Sequence, residues 1–538
     1  MLIDNKLITF DLGISKNASK NIDCLHKACI MVRYISEKQL TIEEFKTPFR
    51  ANLSAENRWV KLARVVPWDK FASIYMTLMS SDLGRPGVSP RTVLGALIIK
   101  HLEKLDDRGV IQAIQENLYM QYFVGLKEFK VDPVFDPSLF VEIRKRVGHK
   151  EFDSMSADLI RTVKGKKDGS HNKKHKKEDS DEPSNKGKLQ SDATVADQYI
   201  TFPTDNGILN ESRKKCEGLI DKLYHHAGSQ GVKPRTYRRT MDKDWLDYSK
   251  KKKKTEATHR KMTRKLLESL KRDIKHIDRM LDQVELRGEQ MPVTHRDLRL
   301  LWIIRTAYQQ QRYMYDTNTH SCADRIVSIY QPHVRPIPRG KLGSQIEFGS
   351  KLGVSLDDGF ARITTFSWDA YHEAGDLIKQ VEEYRALHGH YPELVQVDKI
   401  YATQENRRWL KERDIKITAP PLGRRPAKEK QSYSQKRKAR KEAAERNRIE
   451  GKFGQGKNGY ALNQIRARLK ETSESWVACI FFVMNLIHLE ANHFFGSFFK
   501  WITSLAEGGA LDTANMIQFF YYRISEQSRN IRLLYCLT

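Results

Sequence analysis

Residues 164–190, KGKKDGSHNKKHKKEDSDEPSNKGKLQ, carry almost nothing apolar. Such a stretch cannot bury enough surface to offset the entropy of ordering its backbone, so it reads as a flexible linker or solvated arm. A chain of 538 residues broken at that point folds as separate parts. The two sides also differ in texture. Before the break the apolar residues recur at helical spacing, and after it strand-like runs alternate with helical ones.

On the N-terminal side, SPRTVLGALIIKHLEKL opens with Ser89 as an N-cap and Pro90 at the first helical position. Val93, Leu94, Leu97, Ile98 and Leu102 then follow at helical spacing. DDRGVIQAIQENLYMQYFVGL and DPSLFVEIRKRVG predict two more helices. Arg144, Lys145 and Arg146 at one end of this bundle suit docking to DNA.

From residue 191 the order is strand, long helical insertion, strand, strand, helix, strand, helix, strand, helix, helix. SDATVADQYITFPTD predicts the first strand, and SQIEFGSKLGVSLDDGFARITTFSW predicts a hairpin turning at LDDG. In LVQVDKIYATQENRRWL the apolar run 394–397 ends on Asp398 and feeds a helix, an arrangement that presents a carboxylate at the edge of a sheet. Three acids fall at special places: Asp192 in the first strand, Asp398 ending the fourth, and Glu450 on the helix after the fifth. Divalent cations that assist phosphoryl chemistry need carboxylates converging from different elements. Arg446 and Lys457 flank Glu450, four residues before and seven after, as cations suited to phosphate.

Lys and Arg number 94 against 67 acids, giving a formal charge of +27 and a pI near 9.6. The cations cluster, as in KPRTYRR and KKKKK, which favours a polyanionic partner. Six scattered cysteines make no disulfide framework and no zinc spacing, in keeping with a reducing compartment. The N-terminus lacks the pattern of a signal peptide. VACIFFVMNLIHL, 477–489, is too short to span a bilayer and reads as a buried core helix.

SDATVADQYITFPTD, IEFGSKLGVSL, VDKIYATQENRRWLKERDIKI and RNRIEGKFGQGKNGYALNQIRARLKETSE together resemble bacterial insertion-sequence transposases of the DDE class. SPRTVLGALIIKHLE resembles the helical domain that precedes their catalytic core. The resemblance covers roughly residues 45–490. It implies an α/β fold: a ribonuclease H-like mixed five-stranded sheet with a helical insertion after the first strand, preceded by an all-α N-terminal domain. The expected organisation is an arm over 1–75, a helical DNA-binding domain over 76–160, and a basic linker over 161–190. A catalytic domain follows over 191–495 with its insertion at about 206–325, and then a tail over 496–538.

The resemblance also implies a catalytic and metal-binding triad of Asp192, Asp398 and Glu450 holding two Mg²⁺, with Mn²⁺ as a substitute. Arg446 and Lys457 match the spacing of a Tyr, Arg, Glu, Lys signature, but Ala443 stands where its Tyr would be. Arg424 and Arg425 in ITAPPLGRRP form either a DNA-contacting loop or a surface turn. Trp368 is a candidate for base stacking, a core position being the alternative. The implied function is Mg-dependent strand cleavage and strand transfer on element ends and target double-stranded DNA. The implied setting is a homo-oligomeric synaptic complex in the bacterial cytoplasm, associated with the nucleoid and not with a membrane. The competing reading is a catalytically inactive or co-opted DNA-binding protein derived from a transposase.

Overall fold

Strand β1 (Lys188–Asp197) is the axis around which the second half of the chain is arranged. The computed structural model describes residues 45–47, 52–79, 87–171, 185–226, 232–341, 344–419 and 433–507. These divide into two compact units, one of residues up to 178 together with those from 478 onward, the other of residues 179–477.

The first unit is all helical. Helices α1 (Arg58–Val65), α2 (Trp68–Met76), α3 (Pro90–Leu102), α4 (Asp107–Glu116), α5 (Leu118–Phe123), α6 (Leu139–Arg146) and α7 (His149–His171) follow in order. Every residue of α3 from Pro90 to His101 is buried, so α3 is the central helix and its apolar residues need no single stripe. Arg144 on α6 is turned inward. Its guanidinium forks onto Asp107 at 2.8 and 2.7 Å, and Lys100 reaches the same carboxylate. The basic end expected to face DNA is therefore reduced to Lys145 and Arg146, because the half-buried Asp107 carboxylate claims the buried Arg144. The apolar run 477–489 is buried throughout except at Ile487 and His488. Its Phe482 packs edge-on to Phe71 at 5.2 Å. That helix is long and apolar enough to cross a membrane, yet 83% of its apolar window lies inside the protein.

The second unit is a mixed sheet with helices. After β1 come helices α8 (Asp205–His226), α9 (Arg238–Ser249), α10 (Glu256–Leu286) and α11 (His295–Thr317). They share a core that includes Leu209, Cys216, Leu266, Leu270 and Ile304. The chain returns through β2 (Arg335–Lys341), β3 (Ser344–Asp357), β4 (Phe360–Ser367), α12 (Asp376–His388), β5 (Leu394–Val397), α13 (Gln404–Lys411), β6 (Lys416–Ile417), α14 (Tyr433–Gly454) and the start of α15 (Lys470–Glu507), whose residues from 478 onward belong to the first unit.

The strand order is β2-β3-β1-β5-β6, with β4 also pairing with β3. β1 is antiparallel to β3 and parallel to β5, which is parallel to β6. The sheet thus has six strands where five were expected. The additional one, β2, contains Pro336 and Pro338, which break a strand pattern in sequence but are tolerated at an edge. The LDDG turn forms as predicted: Asp358 and Gly359 both have positive φ, 48° and 87°, the requirement of a two-residue hairpin turn that follows the twist of its strands. Of the expected linker, α7 runs on to His171, β1 begins at Lys188, and residues 172–184 lie outside the described residues.

Candidate active site

The site follows from strand register and side-chain alternation. β1 and β5 pair in parallel, with Gln190 beside Gln396 and Ser191 beside Val397. Successive side chains on a strand point to opposite faces. Leu189, Val395 and Val397 enter a core with Leu377 and Val381 of α12, and the Ser191 hydroxyl donates to Gln380 of the same helix. The other face carries Gln190, whose amide donates to Gln396 Oε1 at 2.8 Å and to the Glu445 carbonyl at 2.5 Å. Lys188 on that face pairs with the Glu445 carboxylate at 2.7 Å. Glu445 lies on α14, so α14 crosses this side of the sheet.

Two residues along each strand the same face presents Asp192, and then Asp398 directly after β5. α14 meanwhile runs on from Glu445 through Arg446 to Glu450. Asp192 feels the charges of the two acids expected to act with it. Burial is the main reason that the Asp192 carboxyl is pushed up to about 6, and the negative charges of Asp398, Glu373 and Glu450 add to it. A hydrogen bond from the Ala193 amide works in the other direction. Among the described residues no three His, Cys, Asp or Glu side chains stand as a ready metal-binding group.

Both expected phosphate-binding cations are engaged by acids. Arg446 forms an ion pair with Asp398, each side chain about half or one-third exposed. Lys457 lies beyond the α-helix, in a π-helical turn over Gln455–Gly459 that continues α14. Glycines there let the helix widen into a turn of the kind found at functional sites. From it Lys457 reaches Glu347 of β3 at 3.2 Å and Asp197 of β1 at 3.6 Å.

Sequence reasoning missed Glu373, which adds negative charge beside Asp192. It sits in the turn between β4 and α12, paired with Lys351 at 2.9 Å and accepting from the Tyr401 hydroxyl at 3.3 Å. The signal was available: like Asp398, it is an acid between a strand end and a helix start. Glu347 carried no such signal. Trp368 is 8% exposed, packed with Val327 and Val334 and edge-on to His333 at 4.4 Å. Its indole N–H donates to Glu474 at 2.8 Å, so a base could reach the ring only after this packing opened. Arg424 and Arg425 lie outside the described residues.

Two families match parts of the chain. Residues 395–487 match the family described as Transposase DDE domain, a span that takes in Asp398, Arg446, Glu450 and Lys457 and leaves out Asp192. Residues 47–146 match the Transposase domain (DUF772), covering α1 to α6. A protein of Rhizobium meliloti named "Uncharacterized protein ORF8 in nfe locus" is 24% identical over 191 residues, 36% of this chain and 83% of that protein. No solved structure matches the chain.

Proposed function

We propose that this chain, which belongs to the insertion-sequence DDE transposases, cuts DNA strands at the ends of its element and joins the freed 3′ ends to target DNA. In this reading Asp192, Asp398 and Glu450 hold two divalent cations. The observation that carries it is the register that sets Asp192 and Asp398 on one face of adjacent parallel strands, under the helix that bears Glu450. The strand order β4-β3-β1-β5-β6, with β1 antiparallel to β3 and parallel to β5, supports a ribonuclease H-like sheet.

The residues fit Mg²⁺. The donors are all carboxylate oxygens, which a hard cation takes, and a positive charge would offset both the burial that chiefly raises Asp192 and the neighbouring negative charges that add to it. Bound ions of this kind activate water and neutralise charge on the phosphoryl group being transferred. The chain's own part is to position the DNA. The Arg446 contact occupies one Asp398 oxygen and competes with a cation there; if the pair opens, the guanidinium has a planar fork for a phosphate. Lys457 would hold a second phosphate oxygen from the π-helical turn. Neither can be a metal ligand while protonated. Assembly of several copies on paired element ends, in the nucleoid, completes the proposal.

The test is Asp398→Ala, assayed on plasmid DNA carrying the element's ends. Mg²⁺-dependent cleavage should vanish while binding in a gel-shift titration persists, because the basic surfaces supply that affinity. Cleavage that survives the substitution refutes the triad.

A further inference from the structure

Helix α10 carries a cationic ridge that the proposed site does not use. Lys261, Arg264, Lys271, Lys275 and Arg279 are all exposed. At 100° per residue they fall within an arc of roughly 80°, one edge of the helix. From Lys261 to Arg279 the ridge runs roughly 27 Å at 1.5 Å per residue. The loop just before α10 extends it with Lys250 to Lys254, all exposed.

What separates this edge from an ordinary solvated helix is that its cations are not paired with acids. Lys265 and Arg272, on the flanks of α10, are paired with Asp244 at 2.6 Å and Asp273 at 3.7 Å. Glu268, the one acid between Lys261 and Arg279 on the outer arc, is taken by Arg312 of α11 at 2.9 Å. Among the described residues none of the five ridge cations has an ion-pair partner. A row of like charges with no partners repels itself, and a polyanion relieves that repulsion.

We propose that the outer edge of α10 and the lysine loop before it form a docking surface for the phosphate backbone of double-stranded DNA. The proposal rests on the transposase reading and adds to it the helical insertion as a DNA-binding element. Duplex DNA offers one charge per roughly 1.7 Å of axis, so a straight ridge of this length meets many phosphates at once. The chemistry suits backbone contact: the ridge is built of lysines and arginines in a straight row, and contacts from such a row to phosphates add affinity without choosing sequence. An anionic membrane fits less well. No large apolar side chain is exposed between Lys261 and Arg279, and a helix that lies in a lipid interface needs an apolar face.

The experiment compares the full-length protein with K261E/K271E/K275E and with the same three positions changed to Gln. Binding to a random-sequence duplex is measured by fluorescence anisotropy across a salt series. Far-UV circular dichroism should match wild type, since the three side chains are exposed and unpaired. Each lost phosphate contact removes about 0.9 from the slope of log affinity against log salt, so the Gln variant should lose between about 2 and 3. The Glu variant should bind more weakly still. Cleavage of a pre-saturated plasmid substrate by the Gln variant reports separately on the catalytic reading. An unchanged salt slope with intact cleavage overturns the ridge and leaves the transposase reading standing. Wild-type protein that binds no duplex overturns both. Anionic vesicles that bind the wild type and lose the Gln variant, with DNA affinity unmoved, would reassign the surface to membrane.

Discussion

Arg446 on α14 is ion-paired with Asp398, the residue that closes strand β5. The contact runs from one guanidinium nitrogen to one carboxylate oxygen, so it partly neutralises Asp398 and competes with phosphate for Arg446. The pair therefore couples two events that the proposed reaction requires together.

That coupling predicts different behaviour for the two cations. Arg446→Gln frees Asp398 and should lower the Mg²⁺ concentration needed for half-maximal cleavage, while reducing the rate at saturating Mg²⁺. Arg446→Lys should be only partly tolerated, since a bidentate phosphate contact needs the planar fork. Lys457→Ala should slow cleavage by the equivalent of roughly 1–3 kcal/mol, the range for a charge-assisted contact, with little change in Mg²⁺ requirement. Cleavage rate against Mg²⁺ concentration checks all three. If excess Mg²⁺ fully restores either cation variant, that residue supports the metal site and the phosphate role is wrong.

In the helical unit, Asp107 is shared by Lys100, 1% exposed, and Arg144, 6% exposed. Removing one partner of a buried ion pair leaves its charge uncompensated, at a cost of about 3–5 kcal/mol. Asp107→Ala should therefore destabilise this unit strongly, whereas the double change Asp107→Leu with Lys100→Met should recover part of the loss. Chemical denaturation followed by circular dichroism measures both. A loss under 1 kcal/mol for Asp107→Ala would show that the trio is better hydrated than its burial indicates.

Asp273 gives a pH-dependent prediction of definite sign. It is fully buried on α10, and neither carboxylate oxygen accepts a hydrogen bond. Burial pushes its carboxyl up to about 7. Between the ordinary carboxylate range and pH 7 the folded state holds a proton that the unfolded chain has released. This group's contribution to stability is thus full at low pH and is lost as pH rises through that window. Asp273→Asn should flatten the dependence and raise the melting temperature above wild type at pH 8. Parallel melting curves from pH 5 to 8 that do not converge toward low pH would contradict the assignment.

Gly353 of β3 tests packing close to the proposed site. A Cβ there would meet the Asp376 carboxylate well inside van der Waals contact and the Tyr371 hydroxyl at 2.9 Å. Asp376 cannot easily give way, since it accepts from Thr365 at 2.8 Å and from Tyr371 at 2.6 Å. Gly353→Ala should cost about 1–3 kcal/mol, as overpacking does. Gly375→Ala meets nothing within 4 Å and serves as the control. Thermal unfolding of the two variants should separate them clearly.

The sequence by itself determined what short-range sterics decide. The start of α3 at Pro90, the Asp358–Gly359 turn and the strand 394–397 ending on Asp398 are set by the φ and ψ that neighbouring residues allow, and each was legible locally. The chain's charge and the acids at element ends were legible in the same way. Only the tertiary structure decided which of those groups meet. Asp192 and Asp398 become neighbours through a parallel pairing that joins strands 206 residues apart at Gln190 and Gln396, and no local pattern encodes such a register. Arg144 looked like a surface cation until Asp107 was packed against it, and β2 was hidden by prolines that an edge position tolerates. Glu373 carried the same local signal as Asp398, but its weight came only from the fold that brought its charge beside a half-buried Asp192. Burial and long-range pairing set the strength of a charge, and both are properties of the folded chain as a whole.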